Sequence, residues 1–138
     1  MVMVDTGFWL ALANKKDEHH EKAKLTLANI NSPLITTWPV MTETCYLLLI
    51  RLGAQAPVAF IKSYGAGAFK VFDLSEKHAS RIHELMGKYA NLPMDLADAS
   101  LAILAEHLGH GRILSSDVRD FNVYRWKDNK PFENLFLK

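Results

Sequence analysis

Apolar and polar positions along this chain follow two different patterns. Short apolar runs predict four buried strands, at 1–4, 34–37, 70–74 and 112–115. Longer stretches between them predict helices, at 8–13, 21–30, 39–52, 57–64, 75–89 and 96–108. Prolines and glycines stand close to several of these boundaries, where a chain turns or a helix ends. Strands that alternate with helices in this way predict a parallel sheet with helices on both faces.

The segment after residue 115 has a weaker pattern. It contains Trp126 and Pro131 and is expected to add an edge strand, which gives a sheet of four to five strands. A length of 138 residues suits one core, so we expect a single domain over 1–138. No internal repeat or linker interrupts this pattern.

Composition adds the class of protein and its compartment. Hydrophobic residues make up 49% of the chain, and sixteen basic residues nearly balance fifteen acidic ones. That balance neither implies nor excludes a nucleic-acid partner, because a local basic surface can exist at any net charge. The single cysteine, Cys45, cannot form an internal disulfide, which favours a reducing compartment. With neither a signal peptide nor a run of ~20 apolar residues, a cytoplasmic protein without membrane contact is expected.

Four acidic residues stand where a parallel sheet would bring them together. Asp5 follows the first strand, and Asp117 follows the fourth. Glu43 lies in the first turns of the helix after the second strand, and Asp98 lies in the helix that leads to the fourth. Sites in open parallel sheets form beyond the carboxyl ends of the strands, so these carboxylates are expected at one edge. Asp5 could instead simply begin a turn.

The other acids also have structural interpretations. Glu43 is near a helix N-terminus, where the helix dipole favours an anion. Asp95 fits an N-cap, with Asp98 three residues later as its capping-box partner, and this is the preferred interpretation of Asp95. Asp117 and Asp120 fit a loop, which is the preferred interpretation of Asp120. Asp98 is the hardest to explain structurally, because it interrupts a largely apolar helix.

A divalent cation would explain why so many carboxylates gather. Carboxylates held together repel one another, and burial adds a desolvation cost. Mg²⁺ and Mn²⁺ prefer oxygen ligands, and such ions can activate water and stabilise the leaving oxygen in phosphodiester cleavage. The histidines lack the spacing of a helical zinc pair, and neither a GxGxxG nor a Walker motif is present.

Together, these residues resemble the PIN-domain ribonucleases, in particular the VapC-like toxins of prokaryotic toxin–antitoxin systems. The resemblance covers nearly the whole chain. It is carried by Val4-Asp5-Thr6, by the segment 37–44, by the segment 95–100, by the segment 114–121, and by Asp17, His20 and Ala23 in a D-x-x-H-x-x-A run. Each motif alone is weak, but four of them in order and with typical spacing are fairly specific.

The resemblance implies a fold, a metal site and its residues. The fold would be a PIN-like three-layer α/β sandwich with a central parallel sheet. Mg²⁺ or Mn²⁺ would be held by the acids, with Asp5 and Asp98 as the principal pair and Glu43 and Asp117 completing the cluster. The auxiliary residues would be Thr6, Asp95, Ser115 and Asp120. Gly7 stands where many relatives have Ser, a departure that touches no carboxylate.

The implied activity is endonucleolytic hydrolysis of RNA. The implied partners are an RNA substrate, a cognate antitoxin protein and a second copy of the chain in a homodimer. Basic side chains that could hold the RNA backbone, unless they are only solvated surface charges, are Lys15, Lys16, Arg51, Arg119 and Arg125.

Three other functions fit parts of the sequence. The first is an RNA-processing nuclease that has no antitoxin. The second is a non-catalytic PIN interaction module, which the presence of all four acids disfavours. The third is a phosphatase with Asp5 as nucleophile, which would need a second Asp where the chain has Gly7.

Overall fold

The computed structural model describes residues 1–136, and its strands and helices alternate largely as the pattern predicts. The helices are α1 (Thr6–Ala13), α2 (His20–Ala28), α3 (Trp38–Leu52), α4 (Gln55–Gly65), α5 (Ala79–Lys88), α6 (Leu96–Leu108) and α7 (Val118–Val123). The strands are β1 (Val2–Val4), β2 (Leu34–Thr37), β3 (Lys70–Phe72), β4 (Arg112–Leu114), β5 (Arg125–Trp126), β6 (Lys130–Pro131) and β7 (Glu133–Asn134).

Five of the strands form one parallel sheet in the order β3-β2-β1-β4-β7. β1 lies at its centre, and all three of its residues are buried. Such continuous apolar runs are expected of parallel strands, because helices cover the sheet. The predicted α/β fold, a parallel sheet of four to five strands flanked by helices, is confirmed.

The order of the strands places the functional edge of the sheet. The chain first builds β1, β2 and β3 outward on one side and then returns to place β4 on the other side of β1. Where such a reversal occurs, a crevice opens beyond the carboxyl ends of the two strands. Val4 pairs with Leu114, and the backbone N–H of Asp5 donates to the carbonyl of Leu114 at 3.0 Å. The residues that follow β1 and β4 therefore emerge side by side.

The structure differs from the sequence prediction at three places. The helix expected over 75–89 begins with a separate 3₁₀ turn, Glu76–His78, in which the backbone N–H of His78 donates to the carbonyl of Ser75, three residues earlier, at 3.0 Å. Helix α7 was not predicted. The tail does add an edge strand, but the strand is β7. Trp126 and Pro131 instead belong to β5 and β6, which form a separate antiparallel ribbon.

The ribbon closes on itself through the indole N–H of Trp126, which donates to the carbonyl of Pro131 at 3.1 Å. Pro131 has no N–H to offer a neighbouring strand, so it is a poor residue for extending the sheet. Within residues 1–136, none of the helices has the length and apolar composition needed to cross a bilayer.

Candidate active site

An open cleft of about 930 Å³ lies at the carboxyl edge of β1 and β4. All four carboxylates predicted to bind metal line it, namely Asp5, Glu43, Asp98 and Asp117. The auxiliary candidates Thr6, Asp95 and Asp120 line it as well. Ser115 is fully buried directly behind it. The structure therefore brings together residues from four distant segments of the chain.

Asp5 is the most buried of the four acids, with 7% of its surface exposed. It caps the N-terminus of α1, and one carboxylate oxygen accepts a hydrogen bond from the N–H of Thr6 at 2.8 Å. The other accepts a hydrogen bond from the hydroxyl of Ser115 at 2.9 Å. Burial, with smaller contributions from the charges of Glu43 and Asp117, raises the pKa of Asp5 from 3.8 to about 6, although both hydrogen bonds act to lower it.

Asp95 and Asp98 form the capping box expected from their spacing. Asp95 caps α6 and accepts a hydrogen bond from the N–H of Asp98 at 2.8 Å, while the N–H of Asp95 faces the Asp98 carboxylate at 3.4 Å. Asp98 also accepts a hydrogen bond from the hydroxyl of buried Tyr124 at 3.2 Å. Burial, together with the charges of Asp95 and Asp5, raises the pKa of Asp98 from 3.8 to about 8. Asp98 thus belongs both to a helix cap and to the acidic cluster.

Glu43 reaches the cleft from α3. This helix begins at the end of β2, where Thr37 acts as the N-cap and Pro39 occupies the first turn. The hydroxyl of Ser100 donates to the carbonyl of Ala97 at 2.6 Å, which leaves it to accept a hydrogen bond from the hydroxyl of Thr37 at 2.6 Å. This contact ties the start of α3 to the start of α6, so Glu43 and Asp98 are held on facing helices.

Asp117 and Asp120 occupy the last segment of the cleft. Asp117 caps α7 and accepts a hydrogen bond from the N–H of Asp120 at 3.0 Å, so the preferred interpretation of Asp120 as a loop residue is wrong. The N–H of Asp117 in turn donates to the hydroxyl of Ser115 at 3.0 Å. Because the same hydroxyl donates to Asp5, Ser115 connects the acids that follow β4 and β1.

The acidic cluster has no cation of its own. Within residues 1–136, Asp5, Glu43, Asp98 and Asp117 form no ion pair with Lys, Arg or His. Buried carboxylates are normally paired or bound to metal, and these offer the hard oxygen ligands that Mg²⁺ and Mn²⁺ prefer. The donor set therefore fits a divalent cation. As the side chains stand, no three acidic, histidine or cysteine residues in the described part are close enough to hold one ion together.

The predicted basic side chains separate into two groups. Arg51 and Arg119 are exposed and line the cleft, where they can contact a bound polyanion. Lys15 and Lys16 are exposed but do not line it. Arg125 has a structural role, because its guanidinium donates to the carbonyls of residues 122, 123 and 124 near the end of α7.

Two residues of the site were missed by the sequence analysis. Tyr124 carries the hydroxyl that reaches Asp98. Asn134 of β7 holds the backbone of Ser115 on both sides, since its amide donates to the Ser115 carbonyl at 2.8 Å and its oxygen accepts from the Ser115 N–H at 3.2 Å. Both lie in the tail, where no clear pattern marked them.

Comparison with known proteins agrees with this architecture. The family model for the PIN domain matches residues 2–127. Ribonuclease VapC26 of Mycobacterium tuberculosis is 23% identical over 124 residues, which cover 90% of this chain and 92% of that protein. The 23S rRNA-specific endonuclease VapC20 of the same species is 42% identical over 59 residues, which cover 43% of this chain and 45% of that protein.

The fold is also similar to a solved structure. The crystal structure of M. tuberculosis VapC20, described as a sarcin–ricin loop cleaving toxin, superposes with a TM-score of 0.80 and 25% identity. The match covers 86% of this chain and 92% of that one. All the acidic residues that line the cleft lie within residues 2–127, the part of the chain that the PIN-domain model matches. The chain therefore belongs to the PIN domain family and is a VapC-like member of it.

Proposed function

We propose that this chain is an endoribonuclease toxin that hydrolyses RNA phosphodiester bonds with Mg²⁺ or Mn²⁺. One observation carries this proposal: four carboxylates from separate segments converge in an open cleft without a cationic partner. The ribonuclease names of its relatives support the same activity. The metal would be held by Asp5 and Asp98, with Glu43 and Asp117 completing the set.

The bound metal would supply charge neutralisation on the phosphate and lower the pKa of a water molecule. The protein's own contribution is to orient the carboxylates that would hold the metal. Ser115 fixes the orientation of Asp5 by donating a hydrogen bond to it, and Tyr124 does the same for Asp98. Arg51 and Arg119 would contact phosphates of the RNA backbone, because both are exposed and line the cleft.

A cleavage assay tests the activity and its metal requirement. The purified protein is incubated with total RNA in Mg²⁺, in Mn²⁺ and in excess EDTA, and the cleaved ends are mapped. We expect discrete cuts with either metal and none with EDTA. Asp5→Asn and Asp98→Asn should each abolish cleavage without loss of fold, whereas Asp73→Asn, an exposed acid outside the cleft, should not. Full activity in EDTA would refute the metal mechanism.

The proposed antitoxin partner is tested in cells. Expression of the chain alone should slow growth, and co-expression of a short antitoxin peptide should restore it. We expect the peptide to cover the acidic cleft and to place an Arg or Lys among the carboxylates, where it competes with metal. If the enzyme cleaves RNA in vitro but its expression is harmless, the chain is an RNA-processing nuclease instead.

We also propose that the protein forms a homodimer in the cytoplasm. The supporting observation is the exposed apolar surface of α3, where Trp38, Tyr46, Leu49 and Ile50 each expose 45% or more of their surface. Contiguous apolar patches of this kind commonly mark protein interfaces. Sedimentation velocity should show a dimer, and Tyr46→Glu should shift it toward the monomer. A monomeric wild-type protein at all concentrations tested would refute the proposal.

A further inference from the structure

Ser116 is a cleft residue that the proposed metal site does not use. It lies between Ser115 and Asp117, which are tied to each other by the hydrogen bond from the Asp117 N–H to the Ser115 hydroxyl. Its side chain lines the cleft together with the four carboxylates. Within residues 1–136, its hydroxyl makes no hydrogen bond. The Ser116 hydroxyl is therefore available to bind a ligand in the cleft.

Gly7 on α1 provides the space in which this hydroxyl lies. A Cβ added at Gly7 would fall far inside contact distance of the Ser116 Oγ, and it would lie 3.1 Å from the Ser116 Cβ. The backbone of Gly7 is an ordinary helical one, so its conformation does not require glycine there. The lack of a side chain at position 7 is therefore explained by the Ser116 hydroxyl that occupies the volume.

The other hydroxyls beside the acids are less available to a substrate. The Ser115 hydroxyl donates to Asp5. The Thr6 hydroxyl has no hydrogen-bond partner within residues 1–136, but it is buried without access to solvent. The carboxylates themselves repel a phosphodiester, so a substrate in the cleft needs neutral or cationic donors. Ser116 offers an O–H on a backbone that is fixed on both sides, since Asn134 holds Ser115 and Asp117 caps α7.

We propose that the Ser116 hydroxyl donates a hydrogen bond to a non-bridging oxygen of the RNA phosphodiester, and that Gly7 keeps its place open. This inference rests on the ribonuclease function proposed above. It makes Ser116 a substrate-binding residue and Gly7 a positioning residue that acts through it. Neither role requires Ser116 to bind the metal or to support the fold.

Ser116→Ala tests the hydroxyl, with Ser80→Ala as the matched control. Ser80 is exposed on α5 and lies outside the cleft, so its substitution makes the same chemical change elsewhere. Loss of a hydrogen bond to a charged oxygen should lower kcat/KM about 10- to 100-fold on an RNA oligonucleotide containing a mapped cut site. The melting temperature should stay unchanged, and so should the rise in melting temperature on adding Mg²⁺ or Mn²⁺.

Gly7→Ala tests whether the Ser116 hydroxyl needs the space beside residue 7. The new Cβ displaces the Ser116 hydroxyl by rotation of its side chain, and alanine favours a helix more than glycine does, so the protein should remain folded. We expect Gly7→Ala to lower kcat/KM about as much as Ser116→Ala. Because both changes remove the same contact, the double variant should be no less active than either single one.

The outcomes separate the two proposals. A wild-type protein that leaves RNA intact in either metal refutes the nuclease itself. An active wild type whose Ser116→Ala variant is within twofold of the Ser80→Ala control refutes the role of this hydroxyl. A smaller metal-induced rise in melting temperature in Ser116→Ala would assign the hydroxyl to the metal site and also overturn the inference. Losses that multiply in the Gly7→Ala, Ser116→Ala double variant would refute the link between the two residues.

Discussion

Replacing Asp5 by asparagine should stabilise the metal-free protein while it abolishes activity. Asparagine has nearly the same size as aspartate, and its oxygen can still accept the hydrogen bond from the Thr6 N–H. In wild type the Ser115 hydroxyl donates to the Asp5 carboxylate, and in the variant the asparagine amide can donate to that hydroxyl instead. The substitution therefore removes mainly the buried negative charge, and with it the repulsion from Glu43 and Asp117.

The size and the pH dependence of the effect follow from the pKa of Asp5. Burial raises it from 3.8 to about 6, so the folded protein binds this proton more tightly than the unfolded chain does. The stability that this proton provides is complete below pH 3.8 and is lost as the pH rises to about 6. Above that pH the ionised carboxylate costs about 3 kcal/mol of unfolding free energy, on the order of 10 °C in Tm.

The assay is denaturant or thermal unfolding in EDTA at pH 4.5 and pH 8, for wild type, Asp5→Asn and Asp73→Asn. At pH 8 we expect Asp5→Asn to be more stable than wild type by about 1–3 kcal/mol, and at pH 4.5 the gain should largely disappear. Asp73 is exposed and should show no comparable gain. Added Mg²⁺ should stabilise wild type and leave Asp5→Asn nearly unchanged. A variant that is less stable than wild type at pH 8 would refute this account of the buried charge.

Three further predictions address the supporting residues. Asp95→Ala should lower the free energy of unfolding by about 0.5–2 kcal/mol with or without metal in melting experiments, because it removes a helix cap. In wild type, the hydrogen bond from the Tyr124 hydroxyl lowers the pKa of Asp98, so Tyr124→Phe should raise that pKa and shift the pH dependence of RNA cleavage upward. An unchanged pH profile would show that the ionisation of Asp98 does not control cleavage. Asn134→Ala should cost about 1–3 kcal/mol in denaturant unfolding, because the N–H and carbonyl of Ser115 lose their partner, and it should reduce stabilisation by Mg²⁺. Normal metal stabilisation in that variant would show that Ser115 does not need Asn134.

The meeting of the four acids could be predicted from the sequence because it depends on chain order and on simple geometry. Asp5 follows an apolar run, and parallel strands place their carboxyl ends at one edge of the sheet. The spacing of Asp95 and Asp98 likewise identified a capping box, which the structure confirms. Their assignment as metal ligands remains a prediction, because it depends on an ion and not on the fold.

The supporting contacts could not be predicted because they depend on where the tail returns. Asn134 and Tyr124 are polar or aromatic residues in a segment without periodicity, and their roles arise only when that segment packs on the sheet and on α6. The Ser116 hydroxyl occupies the volume that a side chain at Gly7 would take, although the two residues are more than a hundred positions apart. A missing side chain at one position carries no signal about which residue fills its place.

The pairing of β7 with β4 also sets the order in which the cleft is completed during synthesis. Asp5 leaves the ribosome early, but the hydroxyl that orients it belongs to Ser115, whose backbone is held by Asn134. Domains generally fold as units, and Ser115 and Asn134 are synthesised long after Asp5, so these contacts can form only when both residues have been made. A nascent chain that has not yet released β7 has the carboxylates without their full support. Such a chain would be a weaker nuclease while still attached to the ribosome that makes it.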